Sequence, residues 1–334
     1  MNDLEFQGAR ELSRARVVLP LSRYYRGLQK EGIASPDFFQ ALAAALAERG
    51  VRAVRIPESF PAGGVARLGE RGIRTRVLPD PFLPERARKT PAEVRSIRQA
   101  LRAAEAGMAT AILTLAASRI GRDGYLHLAG RRLTSEALRD GAERAIFAAG
   151  AAPFQTIVAG GIQGSDPHEK GTGPLPAHRP IVLDFFPRSR RSGFHGDITR
   201  TVVKGRADAR TRAAFLAVAA AQRLALAMLR AGTDGARIHR RVCEFFTRAG
   251  FANRGRGAAR EGFIHGTGHG LGLDLHEFPP VSARKCRLEA GQVVTIEPGL
   301  YYRDLGGIRI EDVALVTRRG HLRLTRFPIF LEIP

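Results

Sequence analysis

Apolar and polar residues alternate in two distinct ways along the 334-residue chain, and the change falls near residue 88. In the first part, short apolar runs typical of strands alternate with stretches whose apolar positions recur at helical spacing. Strands are predicted at 15–21, 51–57 and 74–80, and helices at 36–49 and 65–72. Because strands that alternate with helices favour a parallel sheet, residues 1–88 are predicted to form a small α/β N-terminal domain.

A second pattern follows a proline-rich polar run at residues 79–94, which is typical of a linker. Thr90, Pro91 and Glu93 fit the N-cap, first and third positions of a helix start. Helices are predicted at about 91–117, 134–150, 208–231 and 236–249, with short strands between and after them. Helix pairs that alternate with groups of strands predict a larger α+β domain over residues 89–334.

Composition narrows the class of protein. A hydrophobic content of 44% and a charged content of 25% are typical of a globular chain. The sequence has no apolar run of about 18 residues, and its first segment lacks the apolar centre of a secretory signal. Cys243 and Cys286 are predicted to be reduced thiols. We therefore expect a cytoplasmic protein without a membrane span.

The net charge of +21 raises the question of a polyanionic partner. Only five of the 53 basic residues are lysines, and the arginines are spread along the chain instead of forming one block. This distribution also fits a general bias of composition towards arginine, alanine and glycine. We therefore do not expect nucleic acid to be the working partner, although the charge keeps that alternative open.

Two aspartates mark a predicted hairpin. Asp184 follows the apolar run IVL, and Asp197 begins DITRTVV after the basic turn PRSRRSG. A turn centred on Arg190 and Arg191 would pair Asp184 directly with Asp197, with β-carbons about 5 Å apart. Two carboxylates that close repel each other and favour protonation unless a cation lies between them. The sequence therefore predicts a cation site at this hairpin, and two solvated surface acids are the alternative.

A glycine-rich part of the chain after residue 260 holds the other polar candidates. His265 and His269 in HGTGHG would share one face of an extended segment, and His276 follows them. Glu297 and Glu311 each end an apolar strand, so both are predicted to point into a buried polar pocket. Ionised glutamates in such a place need partners, and metal ions would satisfy both.

The type of ligand limits the metal. Four carboxylates and one histidine form an oxygen-rich set, which favours Mn, Co or Fe over a structural zinc site. Two ions about 3.5–4 Å apart would share a water and prepare it for attack on a carbonyl carbon. Histidines outside that set would stabilise the tetrahedral intermediate and carry a proton to the leaving amine. His168, after a predicted strand at 156–161, is a candidate for this task, and a plain loop histidine is the alternative.

Four ordered motifs make the chain resemble the pita-bread metallopeptidases, which include aminopeptidase P, prolidase and, more distantly, methionine aminopeptidase. DITRT, HGTGHGLGLDLHEFP, TIEPGLY and GIRIED carry the resemblance over about residues 90–330. It implies a pita-bread catalytic domain after a short creatinase-type N-terminal domain. It also implies a dinuclear centre, with manganese as the first expectation and cobalt, iron or zinc as alternatives. The implied metal ligands are Asp184, Asp197, His269, Glu297 and Glu311, with Asp197 and Glu311 bridging, and the implied substrate-handling residues are His168, His265, His276 and Arg309.

Three features depart from the family pattern. The interval from Asp184 to Asp197 is longer than usual by two residues, and an even insertion keeps both side chains on one face. Residues 121–132 look like an insertion between the first two helices of the catalytic domain. The N-terminal part is short for a prolidase-like protein. We expect the five ligands to converge on one point despite these changes.

The resemblance implies an exopeptidase that hydrolyses Xaa-Pro or related N-terminal peptide bonds by attack of a metal-bridged water. Peptides are the expected substrates and a homodimer is the expected assembly. Aminopeptidase and dipeptidase types are both open, and the proline preference rests on the resemblance alone. The alternatives are another C–N hydrolase on the same fold, such as an amidinohydrolase, and a basic binding module for nucleic acid or protein. The ligand set, which is complete at the motif positions, disfavours both.

Overall fold

The computed structural model describes residues 3–334, apart from the side chain of Ala258. The chain separates into two compact units, Met1–Leu83 and Pro84–Pro334. The assignment of domains from the sequence, 1–88 and 89–334, stays a prediction.

The first unit combines helices with a two-stranded parallel sheet, in which Ala53 pairs with Arg74. A capping box starts its third helix, because the side chains of Asp37 and Gln40 each accept a hydrogen bond from the other residue's backbone N–H. The elements are α1 (Asp3–Leu12), α2 (Leu21–Lys30), α3 (Phe38–Glu48), β1 (Ala53–Pro57), α4 (Ala62–Glu70) and β2 (Arg74–Leu78).

The predicted strand at 15–21 is wrong, and helices α1 and α2 were not predicted. Residues 13–20 form no helix or strand, and α2 begins directly after Pro20. Leu19 and Leu21 pack against a small buried cluster around Tyr24 and Leu28. The apolar run therefore contributes packing instead of strand pairing.

Two helix pairs organise the second unit, and their predicted positions are confirmed. Thr90 Oγ1 accepts a hydrogen bond from Glu93 N, and the Glu93 carboxylate accepts one from Thr90 N, so the predicted helix start is a capping box. The helices are α5 (Pro91–Ala117), α6 (Ser135–Ala148), α7 (Ala209–Met228) and α8 (Gly235–Arg248), with short 3-10 helices at Pro84–Ala87, Gly161–Ser165 and Gly257–Ala259.

The strands of the second unit are short and lie between and after its helices. They are β3 (Arg119–Ile120), β4 (Leu126–Leu128), β5 (Arg131–Arg132), β6 (Ala151–Ala152), β7 (Ile157–Gly160), β8 (Ile181–Phe185), β9 (Arg188–Ser189), β10 (Ile198–Lys204), β11 (Gly268–Gly270), β12 (Glu277–Val281), β13 (Val293–Ile296), β14 (Gly299–Tyr302), β15 (Gly306–Arg309), β16 (Asp312–Val316), β17 (His321–Arg323) and β18 (Glu332–Ile333).

Two sheets form the centre of the second unit. One has the strand order β18–β10–β8–β7, and the other has the order β12–β11–β13–β16–β17. Smaller sheets join β14 to β15, β6 to β9, and β3 to β4 to β5, the last within the insertion predicted at 121–132 and just before it.

Each helix pair covers one sheet. Side chains of α5 and α6 pack with those of β8 and β10, and side chains of α7 and α8 pack with those of β13 and β16. Among residues 3–334, α5 alone is long and apolar enough to cross a membrane by length and composition. However, residues such as Met108, Ala111 and Leu115 are fully buried in the core, as expected for the central helix of a globular domain.

Candidate metal centre

The hairpin β8–β10 places the two predicted aspartates, but not in the predicted register. Asp184 pairs with Thr199, so the prediction that it faces Asp197 directly is wrong. The reason is the turn: a bridge between Arg188 and His195 moves its centre one position along the chain. Since side chains alternate between faces, Asp197 lies on the same face as Thr199. Both carboxylates therefore reach the same cavity.

The second sheet contributes the histidine of the predicted ligand set. His269 lies in the middle of β11, which runs between β12 and β13. A β-carbon on Gly268 would lie 1.9 Å from Thr295 O, and one on Gly270 would lie 2.5 Å from Glu277 O. Only glycine, which has no β-carbon, permits this close approach. The two glycines beside His269 therefore allow the backbone of β11 to pack closely against its neighbours.

The strand that was predicted to carry both histidines is shorter than expected. His265 lies in a bend before β11, so it does not share an extended segment with His269. It nevertheless lines the same cavity.

Two glutamates reach the cavity from adjacent strand ends. Glu297 directly follows β13, and Glu311 lies between β15 and β16. Ile296 pairs with Asp312 across β13 and β16. The residues next to this pair, Glu297 and Glu311, are therefore held near each other at one end of the sheet.

All nine residues singled out from the sequence line one cavity of about 620 Å³. They are Asp184, Asp197, His269, Glu297, Glu311, His168, His265, His276 and Arg309. Donor atoms of Asp197, His269 and Glu311 all lie within 4.8 Å of one another, which is close enough to hold one metal ion. The individual role of each residue stays a prediction.

The remaining two carboxylates of the set lie beside this group. Glu297 Oε1 is 3.3 Å from His269 Nε2, and Arg309 Nη2 donates a hydrogen bond of 2.7 Å to Asp184 Oδ2. Asp184 Oδ2 thus accepts a hydrogen bond from Arg309. Asp184 Oδ1 is buried without a hydrogen-bond partner among the described residues.

The electrostatics of the site fit a divalent cation. Glu311 Oε1 is a second buried oxygen without a partner among residues 3–334. Burial, reinforced by the charge of Glu311, raises the pKa of Asp197 well above its usual range, and burial raises the pKa of Glu311 in the same way. Burial also raises the pKa of Glu297 to about 7. Carboxylates crowded together in this way favour either protons or a metal ion, and the orphaned oxygens are suited to the metal.

His269 is prepared as a ligand by its own hydrogen bond. Its Nδ1 lies 3.1 Å from the carbonyl oxygen of Gly270, which can only accept, so Nδ1 carries the proton. The free lone pair is then on Nε2, the atom that faces Asp197 and Glu297. Burial lowers the pKa of His269 to about 4. The imidazole is therefore neutral at physiological pH, the form that binds metals.

A network of buried hydrogen bonds holds the side chains of Arg309 and His265, which line the cavity. Arg309 Nη1 donates to the Tyr301 hydroxyl at 2.7 Å, and that hydroxyl lies 2.8 Å from His265 Nε2. His265 Nδ1 donates to Gly266 O at 2.7 Å, so Nε2 accepts the Tyr301 proton. Burial and the Arg309 charge lower the pKa of His265 to about 3, and burial raises the pKa of Tyr301 to about 12. Both groups therefore stay neutral.

Sequence reasoning missed two members of this network. Tyr301 is the last residue of the motif TIEPGLY, and no local pattern distinguishes it from Tyr302. Thr199 was detectable, because it lies two positions after Asp197 and so on the same strand face. Its Oγ1 donates to Glu311 Oε2 at 2.8 Å and accepts from Arg309 Nε at 3.2 Å.

The last two predicted histidines are the more accessible ones. His276 immediately precedes β12, and its ring meets the His269 ring edge to face at 4.3 Å between centroids. His168 was expected directly after a strand, but a 3-10 helix intervenes, and its backbone N–H donates to Asp166 Oδ1 at 2.9 Å. Both side chains are exposed at the cavity.

Comparisons with known proteins identify relatives of this chain. The sequence profile of metallopeptidase family M24 matches residues 95–318. The uncharacterized peptidase YqhT of Bacillus subtilis (strain 168) is 37% identical over 177 residues, which cover 52% of this chain and 47% of that protein. The aligned segment thus spans about half of that relative.

Two longer matches come from species of Pyrococcus. The Xaa-Pro dipeptidase of Pyrococcus horikoshii is 27% identical over 328 residues, which cover 97% of this chain and 82% of that protein. The solved structure of prolidase from Pyrococcus furiosus is similar with a TM-score of 0.78 and 26% identity, covering 98% of this chain and 86% of the other. The predicted pita-bread fold is confirmed by these neighbours.

Proposed function

Because this chain belongs to metallopeptidase family M24, we propose that it is a metal-dependent exopeptidase that hydrolyses Xaa-Pro or related bonds near the N-terminus of peptides. Two relatives, an Xaa-Pro dipeptidase and a prolidase, suggest this substrate class. Aminopeptidase and dipeptidase types both remain within the proposal.

The observation that carries the proposal is the convergence of five potential ligands on one cavity. Asp184, Asp197, His269, Glu297 and Glu311 would hold the metal, and the two partnerless carboxylate oxygens would gain partners from it. An oxygen-rich set with one imidazole suits Mn²⁺, with Co²⁺ or Fe²⁺ as the next choices and Zn²⁺ as a further one. We propose a pair of ions, because one ion does not need four carboxylates. When bound, divalent ions supply Lewis-acid activation of the peptide carbonyl and of water.

The chain's own residues would orient the peptide and move protons. His168 and His276 are exposed at the cavity, where each can reach a substrate carbonyl or amine. Neutral His265 is held in one tautomer by Tyr301 and the Gly266 carbonyl. We propose that His168 and His276 stabilise the oxyanion and protonate the departing nitrogen, and that His265 fixes the wall on which the peptide lies.

Metal analysis combined with hydrolysis tests the proposal. Protein loaded with Mn²⁺ should cleave Ala-Pro or Ala-Pro-Ala. Asp197→Asn should lower metal affinity and kcat/KM by more than about 100-fold, the upper end of the loss typical for residues that only hydrogen-bond to a metal ligand. Asp140→Asn, a change on the exposed face of α6, is the matched control and should behave as wild type. Protein that neither retains metal nor cleaves any Xaa-Pro peptide would refute the proposal.

Assembly and location complete the proposal. We expect a homodimer in the cytoplasm, acting on peptides, with no nucleic-acid or membrane partner. Light scattering at several protein concentrations tests the dimer. A gel shift with RNA and DNA at physiological salt tests the binding-module alternative, since binding by charge alone weakens steeply as salt rises.

A further inference from the structure

The proposed metal site assigns no role to one of the basic side chains that line the cavity. Lys170 and Arg309 are the lysine and arginine side chains that line the cavity. Arg309 is buried and donates hydrogen bonds to Asp184 and Tyr301. Lys170 is exposed, and within residues 3–334 its ammonium forms no ion pair. The four carboxylates of the cavity are the candidate metal ligands, so none is left for Lys170.

The backbone presents Lys170 from a fixed position. Its carbonyl oxygen accepts a hydrogen bond from Val158 N at 2.9 Å and one from Arg139 Nη2 at 2.5 Å. The next residue, Gly171, has a φ of 80°, and a β-carbon there would lie 1.8 Å from Val158 O. Only glycine tolerates both conditions, so this segment is locked against β7. Only the Lys170 side chain is therefore left to adapt to a ligand.

The wall beside this lysine is apolar. Phe154, Ile157 and Phe186 line the same cavity, and the two phenylalanine rings meet edge to face at 6.2 Å between centroids. Val158, which bonds the Lys170 carbonyl, directly follows Ile157. An apolar wall next to one free ammonium suits a ligand with a compact apolar part and a carboxylate. A peptide that ends in an apolar residue has both.

We propose that Lys170 is a specificity-determining residue that binds a carboxylate of the substrate. This inference rests on the proposed peptidase function and narrows it, because a carboxylate close to the scissile bond is the free C-terminus of an Xaa-Pro dipeptide. An acidic side chain after the proline of a longer peptide is the other source of the same group. Charge-assisted contacts of this kind are worth about tenfold or more in affinity.

Four substrates separate these sources: Ala-Pro, Ala-Pro-amide, Ala-Pro-Asp-amide and Ala-Pro-Asn-amide. We expect wild type to have a KM about tenfold lower for Ala-Pro than for Ala-Pro-amide. Lys170→Met should remove this difference by raising the KM of Ala-Pro alone, and Lys170→Arg should restore it. Lys285→Met, at an exposed lysine outside the cavity, is the matched control and should leave every KM unchanged.

The outcomes are distinguishable. A Lys170-dependent preference for Ala-Pro over its amide assigns the C-terminal carboxylate, and one for the Asp peptide over the Asn peptide assigns a side chain. Cleavage of all four substrates with equal effects of Lys170→Met, or with none, overturns the role of Lys170 and leaves the peptidase function standing. Failure of metal-loaded wild type to cleave any of the four overturns both proposals.

Discussion

Tyr301 and Arg309 are joined by a hydrogen bond of 2.7 Å between the hydroxyl and Nη1, and both side chains are almost fully buried. The same arginine holds Asp184, and the same hydroxyl holds His265. One continuous set of hydrogen bonds therefore runs from a candidate metal ligand on the first sheet to a histidine in the bend before the second. We therefore expect a substitution within this set of hydrogen bonds to affect both Asp184 and His265.

Tyr301→Phe tests this connection. The ring keeps its packing, but His265 Nε2 loses its hydrogen-bond donor and Arg309 loses an acceptor. We expect kcat/KM for Ala-Pro to fall about tenfold, which corresponds to about 1.4 kcal/mol, with little change in the melting temperature. Steady-state kinetics and thermal unfolding measure the two effects. Tyr302→Phe is the control, because that hydroxyl donates to Ala252 O instead; equal activity of both variants would contradict the idea.

Thr199 is predicted to position a metal ligand. Thr199→Val keeps the shape and the strand preference of the side chain but removes the hydroxyl that donates to Glu311 and accepts from Arg309. Partners of this kind typically contribute 10–100-fold, so we expect Mn²⁺ affinity to fall by about that factor. Calorimetric titration of metal-depleted protein measures it. Thr199→Ser retains the hydroxyl and should bind nearly as well as wild type; a weak Ser variant would mean that packing is the cause.

The stability of the metal-depleted protein should depend on the ionisation of Glu297. Burial raises the pKa of this group from 4.5 to about 7. The folded state therefore binds the proton more tightly than the unfolded state, and the contribution of Glu297 to the free energy of unfolding falls as pH rises between these values. Glutamine has no charge to bury. Glu297→Gln should match wild type at about pH 4, below both pKa values, and exceed it by up to about 3 kcal/mol at about pH 8.

Urea unfolding of EDTA-treated protein at the two pH values measures this difference directly. Comparing the variant with wild type cancels the opposite contributions of His265 and His269, whose pKa values are lowered by burial. Glu85→Gln changes an exposed glutamate of the second unit and should show no such dependence. An advantage of Glu297→Gln that is the same at both pH values would count against the mechanism.

Arg200 and Asp312 form a buried ion pair with an Nη2–Oδ1 distance of 2.9 Å and exposed fractions of 2% and 0% for the two side chains. Without Arg200, the buried carboxylate of Asp312 keeps only the half-exposed Arg323, at 3.5 Å, as a cationic partner. Arg200→Met should therefore lower the free energy of unfolding by about 3–5 kcal/mol. The double variant with Asp312→Asn should lose less than the sum of the single losses. The exposed pair Arg241–Glu244 is the control, with a coupling expected below about 1 kcal/mol. Similar couplings for both pairs would be inconsistent with this expectation.

Local chemistry explains what the sequence predicted well. The start of α5 depends on Thr90 and Glu93, which contact each other within one turn, so its signal is contained in four adjacent residues. The candidate site was found for a related reason. Buried carboxylates such as Asp184 and Glu311 conflict with their apolar neighbours, and such conflicts are common at functional sites. The shared cavity was thus predictable from residue type and strand parity.

The features that were not predicted from the sequence depend on contacts between residues far apart in the chain. The hairpin register depends on the centre of the turn, which the bridge between Arg188 and His195 fixes. Moving that centre by one residue leaves the alternation of apolar and polar residues along each strand unchanged, so the sequence pattern does not reveal it. Tyr301 has its role through two partners outside its own strand, because its hydroxyl accepts a hydrogen bond from Arg309 and donates one to His265. The run at 15–21 has a strand-like composition, but its residues pack on α2 and α3 instead of pairing.

The contacts of Arg200 also determine how late during synthesis its surroundings can be completed. Its Nη2 donates to Phe327 O at 2.7 Å and its Nε to Pro328 O at 2.9 Å, while β18 adds a parallel edge beside β10. During synthesis the strand that follows Asp197 leaves the ribosome long before these partners do. At typical elongation rates the delay is roughly 10 s. Arg200 therefore cannot complete its contacts, nor β10 gain its parallel edge, until the last residues of the chain have left the ribosome.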